Sequence, residues 1–415
     1  MRGRSTMSLN DTPSGRRVMI GFFGRRNAGK SSIINAFTNQ KLSIVSNIKG
    51  TTTDPVYKSM ELLPMGPITV VDTPGFDDEG ELGLLRIEKC KEVMRRVDVA
   101  ILVIDGTVGA SKEDGALFNE LVMRKLPIII AINKIDVGTN KSQEQLLEEL
   151  GDFAEIAKIV LVSALSNEGI YSLRETVAHL LDVTDKEIIS LLPSFVKTGD
   201  VVVLVVPIDA SAPKGRLILP QQQVIRECLE KGAIALVCKD SELDQMLSKT
   251  SCAPKLVVTD SQVFDFVSKL VPQSVPLTSF SILFAKAKGS LEWQLVGAKA
   301  LDLLEDGDKV LIAEGCTHHR QCADIGTVKI PRWIESYTGK KIDFDTSSGN
   351  DFPDSMALTK YKLVIHCGGC TLNAREMQYR VNECIRNNVP ITNYGMLIAK
   401  VNGILDRAIA SVERE

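Results

Sequence analysis

Two groups of side chains in this sequence have the types and spacing for chemistry. The first is Cys316-Thr317-His318, answered much later by His366-Cys367-Gly368-Gly369-Cys370. Only four histidines occur in 415 residues, and three of them, His318, His319 and His366, sit beside these cysteines. Thiolate and imidazole are the side chains that take soft and borderline transition metals, so the pairing points to a metal or iron-sulfur site. Between Cys367 and Cys370 two glycines let the backbone curl until both sulfurs face one centre. A redox dithiol on Cys367 and Cys370, or thiols that only pack, are the competing readings.

The second group is Gly24-Arg25-Arg26-Asn27-Ala28-Gly29-Lys30-Ser31-Ser32, lying between an apolar strand from Val18 and a helical pattern through Ile34 and Phe37. This is GxxxxGKS in its required context. Phosphate needs closely approaching backbone N–H groups, which Gly24 and Gly29 permit. Lys30 is expected to reach the β- and γ-phosphates and Ser31 to hold Mg2+. Asp72-Thr73-Pro74-Gly75 follows the apolar run Ile68 to Val71, placing a carboxylate near Mg2+ and Gly75 near the γ-phosphate. Asn133-Lys134-Ile135-Asp136 ends the run Ile128 to Ile132, and Asp136 matches the N1–H and exocyclic amine of guanine, which adenine lacks. Ser163-Ala164-Leu165, after Ile159 to Val162, supplies backbone contacts to the guanine oxygen. Lys30, Asp72 and Gly75 are the candidates for hydrolysis, and GTP with Mg2+ is the expected nucleotide.

The elements that must position these groups are those of an ordinary globular chain. The length suits roughly three domains. With 44% hydrophobic and 24% charged residues, a net charge of −3 and a pI near 6.0, no basic excess marks a nucleic-acid partner. No apolar run approaches the roughly 20 residues that span a bilayer, so no membrane partner is expected. Nine cysteines without disulfide spacing fit a reducing cytoplasm. Residues 1–17 read as a disordered tail, and 18–183 as an α/β GTPase domain.

Beyond a polar hinge, apolar strands at Val201 to Val206, Ala233 to Cys238 and Leu256 to Thr259 alternate with helical stretches, which predicts a small parallel α/β domain over 184–271. Cys228, Cys238 and Cys252 read as packing residues there. With no site of its own, this domain is expected to associate, an edge strand such as Val201 to Val206 pairing with its copy. Pro272 to Pro276 reads as a linker to a third α/β domain, 272–415, in which strands Lys309 to Gly315 and Leu363 to Cys367 deliver the two halves of the cysteine motif and a helical tail runs from Gly395 to Val412.

The four nucleotide motifs over 18–183 resemble those of the translation-factor-like small GTPases. Asn27 and the segment Gly50-Thr51-Thr52-Thr53-Asp54 are similar to the subgroup that includes MnmE and Era. That resemblance implies K+ bound through Asn27 and Thr52 as the switch hydroxyl on Mg2+, with Thr51 and Thr53 as alternatives. Phe76 stands where many GTPases carry a water-orienting glutamine. The pairing of such a domain with Cys316-x-His318 and His366-Cys367-x-x-Cys370 resembles the HydF family of FeFe-hydrogenase maturation GTPases. The resemblance implies a 4Fe-4S cluster on Cys316, Cys367 and Cys370, with one iron left for His318, His366 or an exchangeable ligand. It implies a homodimer or tetramer, radical-SAM maturases as suppliers of a diiron precursor, and apo FeFe-hydrogenase as its recipient. His319 and Cys322 lie outside the motif. The alternative is a tRNA-modification or ribosome-assembly GTPase with a structural zinc on Cys316, His318, Cys367 and Cys370.

Overall fold

A computed structural model of the chain describes residues 17–39, 54–62, 65–75, 81–137, 156–184, 190–208, 217–250, 253–288, 290–315, 324–349, 351–369 and 371–413. The tail expected at 1–17 lies almost wholly outside the described residues. The chain forms two units, Met1–Glu187 and Ile188–Glu415.

The first unit is built on six strands: β1 (Val18–Phe23), β2 (Val56–Leu62), β3 (Gly66–Asp72), β4 (Val99–Asp105), β5 (Ile128–Asn133) and β6 (Lys158–Leu161). Their order is β2-β3-β1-β4-β5-β6, parallel except for the antiparallel edge β2. β4 and β5 are apolar up to their last residues, Asp105 and Asn133, because helices cover both faces of the sheet. Alternation does the sorting: Phe22 packs with Ile33 and Phe37 of α1 (Lys30–Thr38), while Phe23 packs on the opposite face with Leu117 and Phe118. The latter two belong to α3 (Lys112–Met123), which follows α2 (Glu81–Met94).

The second unit holds two four-stranded parallel sheets. One contains β7 (Val201–Val205), β8 (Ile234–Cys238), β9 (Leu256–Thr259) and β10 (Leu277–Ser279), ordered β10-β9-β7-β8. The other contains β11 (Lys309–Glu314), β12 (Asp343–Ser348), β13 (Leu363–His366) and β14 (Ile391–Asn393), ordered β12-β11-β13-β14. Two expectations need correction here. Val201 to Val206 is not an edge: β7 lies between β9 and β8, where its all-apolar side chains are covered on both faces, and the edges are β8 and β10. Pro272 to Pro276 is not a linker between domains, because it leads into β10, which pairs with β9. Cys228 and Cys238 are buried in the core beside β7, in line with a packing role, and burial pushes both thiols up to about 11; Cys252 lies outside the described residues.

The two sheets repeat one plan. Each places its second strand at one edge, then its first, third and fourth. Val205 pairs with Thr259 and Thr259 with Ser279; in the same places Ala313 pairs with His366 and His366 with Asn393. Pro276 to Lys286 aligns with Pro390 to Lys400 without a gap, sharing the Pro, Thr, Leu, Ala and Lys at equivalent positions. The helical tail is two helices, Tyr394–Val401 and Leu405–Glu413, and the second returns to β10, where Ser411 Oγ accepts from Leu277 N at 3.0 Å.

Candidate functional site

At the C-terminal end of β1 the chain turns through Gly24 (φ +141°) and Gly29 (φ +94°) into α1. A Cβ on Gly24 would lie 2.4 Å from the Val103 carbonyl oxygen, and one on Gly29 would lie 2.2 Å from Asn133 Nδ2, so both positions demand glycine. Lys30 Nζ, nearly buried, donates to the carbonyls of Gly24 at 2.9 Å and Arg25 at 2.8 Å, which aims the ammonium across the loop. Ser31 Oγ donates to Asp72 Oδ2 at 2.6 Å. Burial pushes the Asp72 carboxyl above its ordinary value, against the downward pull of the Ser31 bond and the Lys30 charge. Two hard oxygen donors held this way fit Mg2+. Gly75 lies three residues past Asp72; Asn27 is exposed in the left-handed region (φ +62°), and Ser32 is exposed on α1.

Asn133, expected to touch the nucleotide, braces two loops of the site. Its Nδ2 donates to the Ala28 carbonyl at 3.0 Å and its Oδ1 accepts from Ala164 N at 3.1 Å, tying the phosphate loop to the Ser163 loop. Ser163 is buried and caps its own turn, accepting from Leu165 N and Ser166 N. Lys134 Nζ pairs with Asp105 Oδ2 at 2.5 Å, and Asp136 is exposed on the short turn Ile135–Val137. Arg25 and Asp114 were missed from sequence: Arg25 Nε lies 2.9 Å from Asp114 Oδ2, and Asp114 is also the N3 residue of a capping box with Ser111 at the start of α3. Thr51, Thr52, Thr53 and Phe76 lie outside the described residues.

In the second unit, β11 and β13 are neighbours, and both halves of the cysteine motif leave from their C-terminal ends. Cys367 is described; Cys316, His318, His319, Cys322 and Cys370 are not. The residues flanking them are joined, however. Gly315 N donates to Cys367 Sγ at 3.0 Å, and Thr371 Oγ1 donates to the Gly315 carbonyl at 3.0 Å. Cys367 Sγ also accepts from Gly369 N at 3.4 Å, so its sulfur is surrounded by N–H donors of the kind that stabilise a metal-bound thiolate. Lys288 Nζ donates to the Gly369 carbonyl at 2.5 Å and the Leu372 carbonyl at 3.3 Å, placing a cation beside the backbone that follows Cys367. This half-exposed sulfur, its donors and that cation fit an anionic iron-sulfur cluster.

His366, expected beside the cluster as a candidate ligand, has a hydrogen-bond partner at each ring nitrogen. It is fully buried; Nδ1 lies 2.7 Å from the Cys367 carbonyl oxygen and Nε2 lies 3.0 Å from Arg380 Nη1. A guanidinium only donates, so Nε2 accepts and the proton sits on Nδ1, where it meets the carbonyl. Burial, then the Arg380 charge, pushes the imidazole down to about 3, and both nitrogens are engaged within the protein. Arg380 and its partner Glu376 had no signal in the sequence beyond their i, i+4 spacing on the helix Ala374–Arg386.

A glycine-rich loop with its lysine, a Ser–Asp pair and the sheet that carries them define a P-loop GTPase domain, here followed by two parallel α/β domains. Residues 19–134 match the 50S ribosome-binding GTPase family, 191–289 the hydrogen maturase F dimerization domain and 292–411 the hydrogen maturase F tetramerization domain. The chain belongs to the hydrogen maturase F family: the latter two matches together cover more than half of it, and they support self-association. The GTPase part is 32% identical over 159 residues to the tRNA modification GTPase MnmE of Desulforamulus reducens, covering 38% of this chain and 33% of that protein. It is 34% identical over 177 residues to GTPase Der of Chloroflexus aurantiacus, covering 40% and 37%. The chain thus spans only about a third of the length of these curated relatives. A crystal structure of Aquifex aeolicus Era is 22% identical, with a TM-score of 0.35, over 53% of this chain and 92% of that one. Among the described residues no helix is long and apolar enough to cross a membrane.

Proposed function

We propose that this chain is a GTP-hydrolysing scaffold that holds a 4Fe-4S cluster on Cys316, Cys367 and Cys370, receives a diiron precursor from radical-SAM maturases and passes it to apo FeFe-hydrogenase. The observation that carries the cluster reading is Gly315, bonded on one side to the Cys367 sulfur and on the other to Thr371. Gly315 precedes Cys316 and Thr371 follows Cys370, so residues far apart in sequence meet at one strand end. A cluster held by these three cysteines would supply an open coordination position for the precursor.

In the first unit the Lys30 ammonium faces the β- and γ-phosphates, Ser31, Asp72 and Thr52 hold Mg2+, and Asp136 reads guanine. Backbone N–H groups between Gly24 and Ser32 cradle the phosphates, while Gly75 gives the segment after β3 freedom to follow the γ-phosphate. Asn27 binds K+, whose charge stands in for an arginine at the transition state. Two copies associate through the β8 edge, where Ile234 and Val237 are half exposed. The work is done in the reducing cytoplasm.

The test is anaerobic reconstitution with iron and sulfide, followed by metal analysis and EPR of the reduced protein. About four irons per chain with a 4Fe-4S signal is the expected result. One tightly held zinc and no iron-sulfur absorption would overturn the reading in favour of a structural metal.

A further inference from the structure

The repeat within the second unit isolates what the cluster-bearing half adds. Thr259 ends β9 as His366 ends β13, and Asp260 follows the one as Cys367 follows the other. Each of these last strand residues donates to the next carbonyl: Thr259 Oγ1 to Asp260 at 3.2 Å, His366 Nδ1 to Cys367 at 2.7 Å. Each following side chain then accepts the N–H two residues on, Asp260 Oδ1 from Gln262 at 3.0 Å and Cys367 Sγ from Gly369 at 3.4 Å. The cluster half therefore uses the same turn with sulfur in the place of carboxylate.

It extends the turn by one residue. Arg380 is 1% exposed; its Nη1 meets His366 Nε2 at 3.0 Å, its Nε meets Glu376 Oε1 at 2.9 Å and its Nη2 meets the Gly349 carbonyl at 2.6 Å. The guanidinium also lies over the Phe352 ring, 5.0 Å from its centroid. A threonine hydroxyl rotates to suit its acceptor, whereas an imidazole gripped at both nitrogens has one orientation. We infer that Arg380 is a positioning residue for the cluster: through His366 it holds the Cys367 carbonyl, and so aims the Cys367 sulfur. This rests on the cluster reading proposed above, and it gives His366 the part of a hydrogen-bonded bridge and not of an iron ligand.

The test compares wild-type protein, His366→Gln, the charge-balanced Arg380→Gln/Glu376→Gln double variant and the triple variant, all reconstituted anaerobically as full-length chains. Thermal unfolding of the metal-free proteins and GTP turnover serve as controls for folding. Iron release to a chelator should be about tenfold or more faster in both His366→Gln and the double variant, with shifted EPR g-values. The triple variant should be no worse than His366→Gln, because the residues act in series. Should the double variant fail to fold, Arg380→Lys takes its place, since it keeps a cation beside Glu376 but loses the planar fork that reaches His366 and the Gly349 carbonyl together. Variants that load and release iron as the wild type does, or effects that multiply in the triple variant, overturn the inference alone. So does a nitrogen coupling in 15N-histidine protein that vanishes in His366→Gln, since it would place the imidazole on iron. A wild type that takes up no cluster overturns the underlying reading and this inference with it.

Discussion

The Ser31 hydroxyl donates to Asp72 at 2.6 Å, although 41 positions separate the two residues. Ser31 comes from the first turn of α1 and Asp72 from the end of β3, so the pair is placed by the pairing of β3 with β1. Ser31→Ala and Asp72→Asn should each lower Mg2+-dependent GTP turnover by about tenfold or more, with a raised Mg2+ requirement. A magnesium titration of turnover checks this, and an unaltered midpoint would count against both assignments.

Asp136 stands exposed on its turn, braced by the Lys134–Asp105 pair behind it. Asp136→Asn should shift preference from guanine toward xanthine nucleotides, because xanthine offers an acceptor where guanine has its amine. Competition binding between GTP and XTP reads the shift; undiminished GTP selectivity would remove Asp136 from the site.

Asn27 is exposed at the tip of the phosphate loop in a left-handed conformation that asparagine tolerates well. Turnover should be faster in K+ than in Na+ at matched ionic strength, and Asn27→Ala should abolish the difference. Equal rates in the two salts for the unmodified protein would exclude a potassium role.

Asp114 is fully buried between Arg25 and its own helix cap. Asp114→Ala should therefore destabilise the first unit by about 2–4 kcal/mol, through the lost cap and an uncompensated Arg25. Nucleotide affinity should fall in parallel, since Arg25 Nη2 also bonds the Gly109 carbonyl and so anchors the phosphate loop. Urea unfolding with and without GDP measures both, and a change under about 0.5 kcal/mol would show the ion pair to be incidental.

Cys316→Ser, Cys367→Ser and Cys370→Ser should each strip or destabilise the cluster, because a serine hydroxyl does not ionise near neutral pH. GTP hydrolysis should survive in all three, while Lys30→Ala should lose most nucleotide turnover and keep its iron. Hydrogenase activation in a reconstituted maturation assay should fail in every one of these variants. Cysteine variants that retain full iron and still activate would remove the Cys316 to Cys370 stretch from the function.

By itself the sequence determined those features whose chemistry is carried by neighbouring residues. The strand, glycine loop and helix around Lys30, the Asn133 to Asp136 turn and the Cys367 to Cys370 turn are local, because backbone conformation and side-chain type there are set within a few positions. Continuous apolar runs likewise marked β1, β3, β5 and β6, though β4 was not singled out despite being as apolar as β5. Tertiary structure alone decided the order of the strands: an apolar run such as Val201 to Val205 states that both faces are covered, but not which neighbours hydrogen-bond to its edges. It also decided the company kept by single polar residues. Arg380 finds His366 across 14 positions and Lys288 finds Gly369 across 81, and Asn133 proved to be a brace between loops. Such long-range partners follow from the packing of whole elements, which local periodicity does not encode.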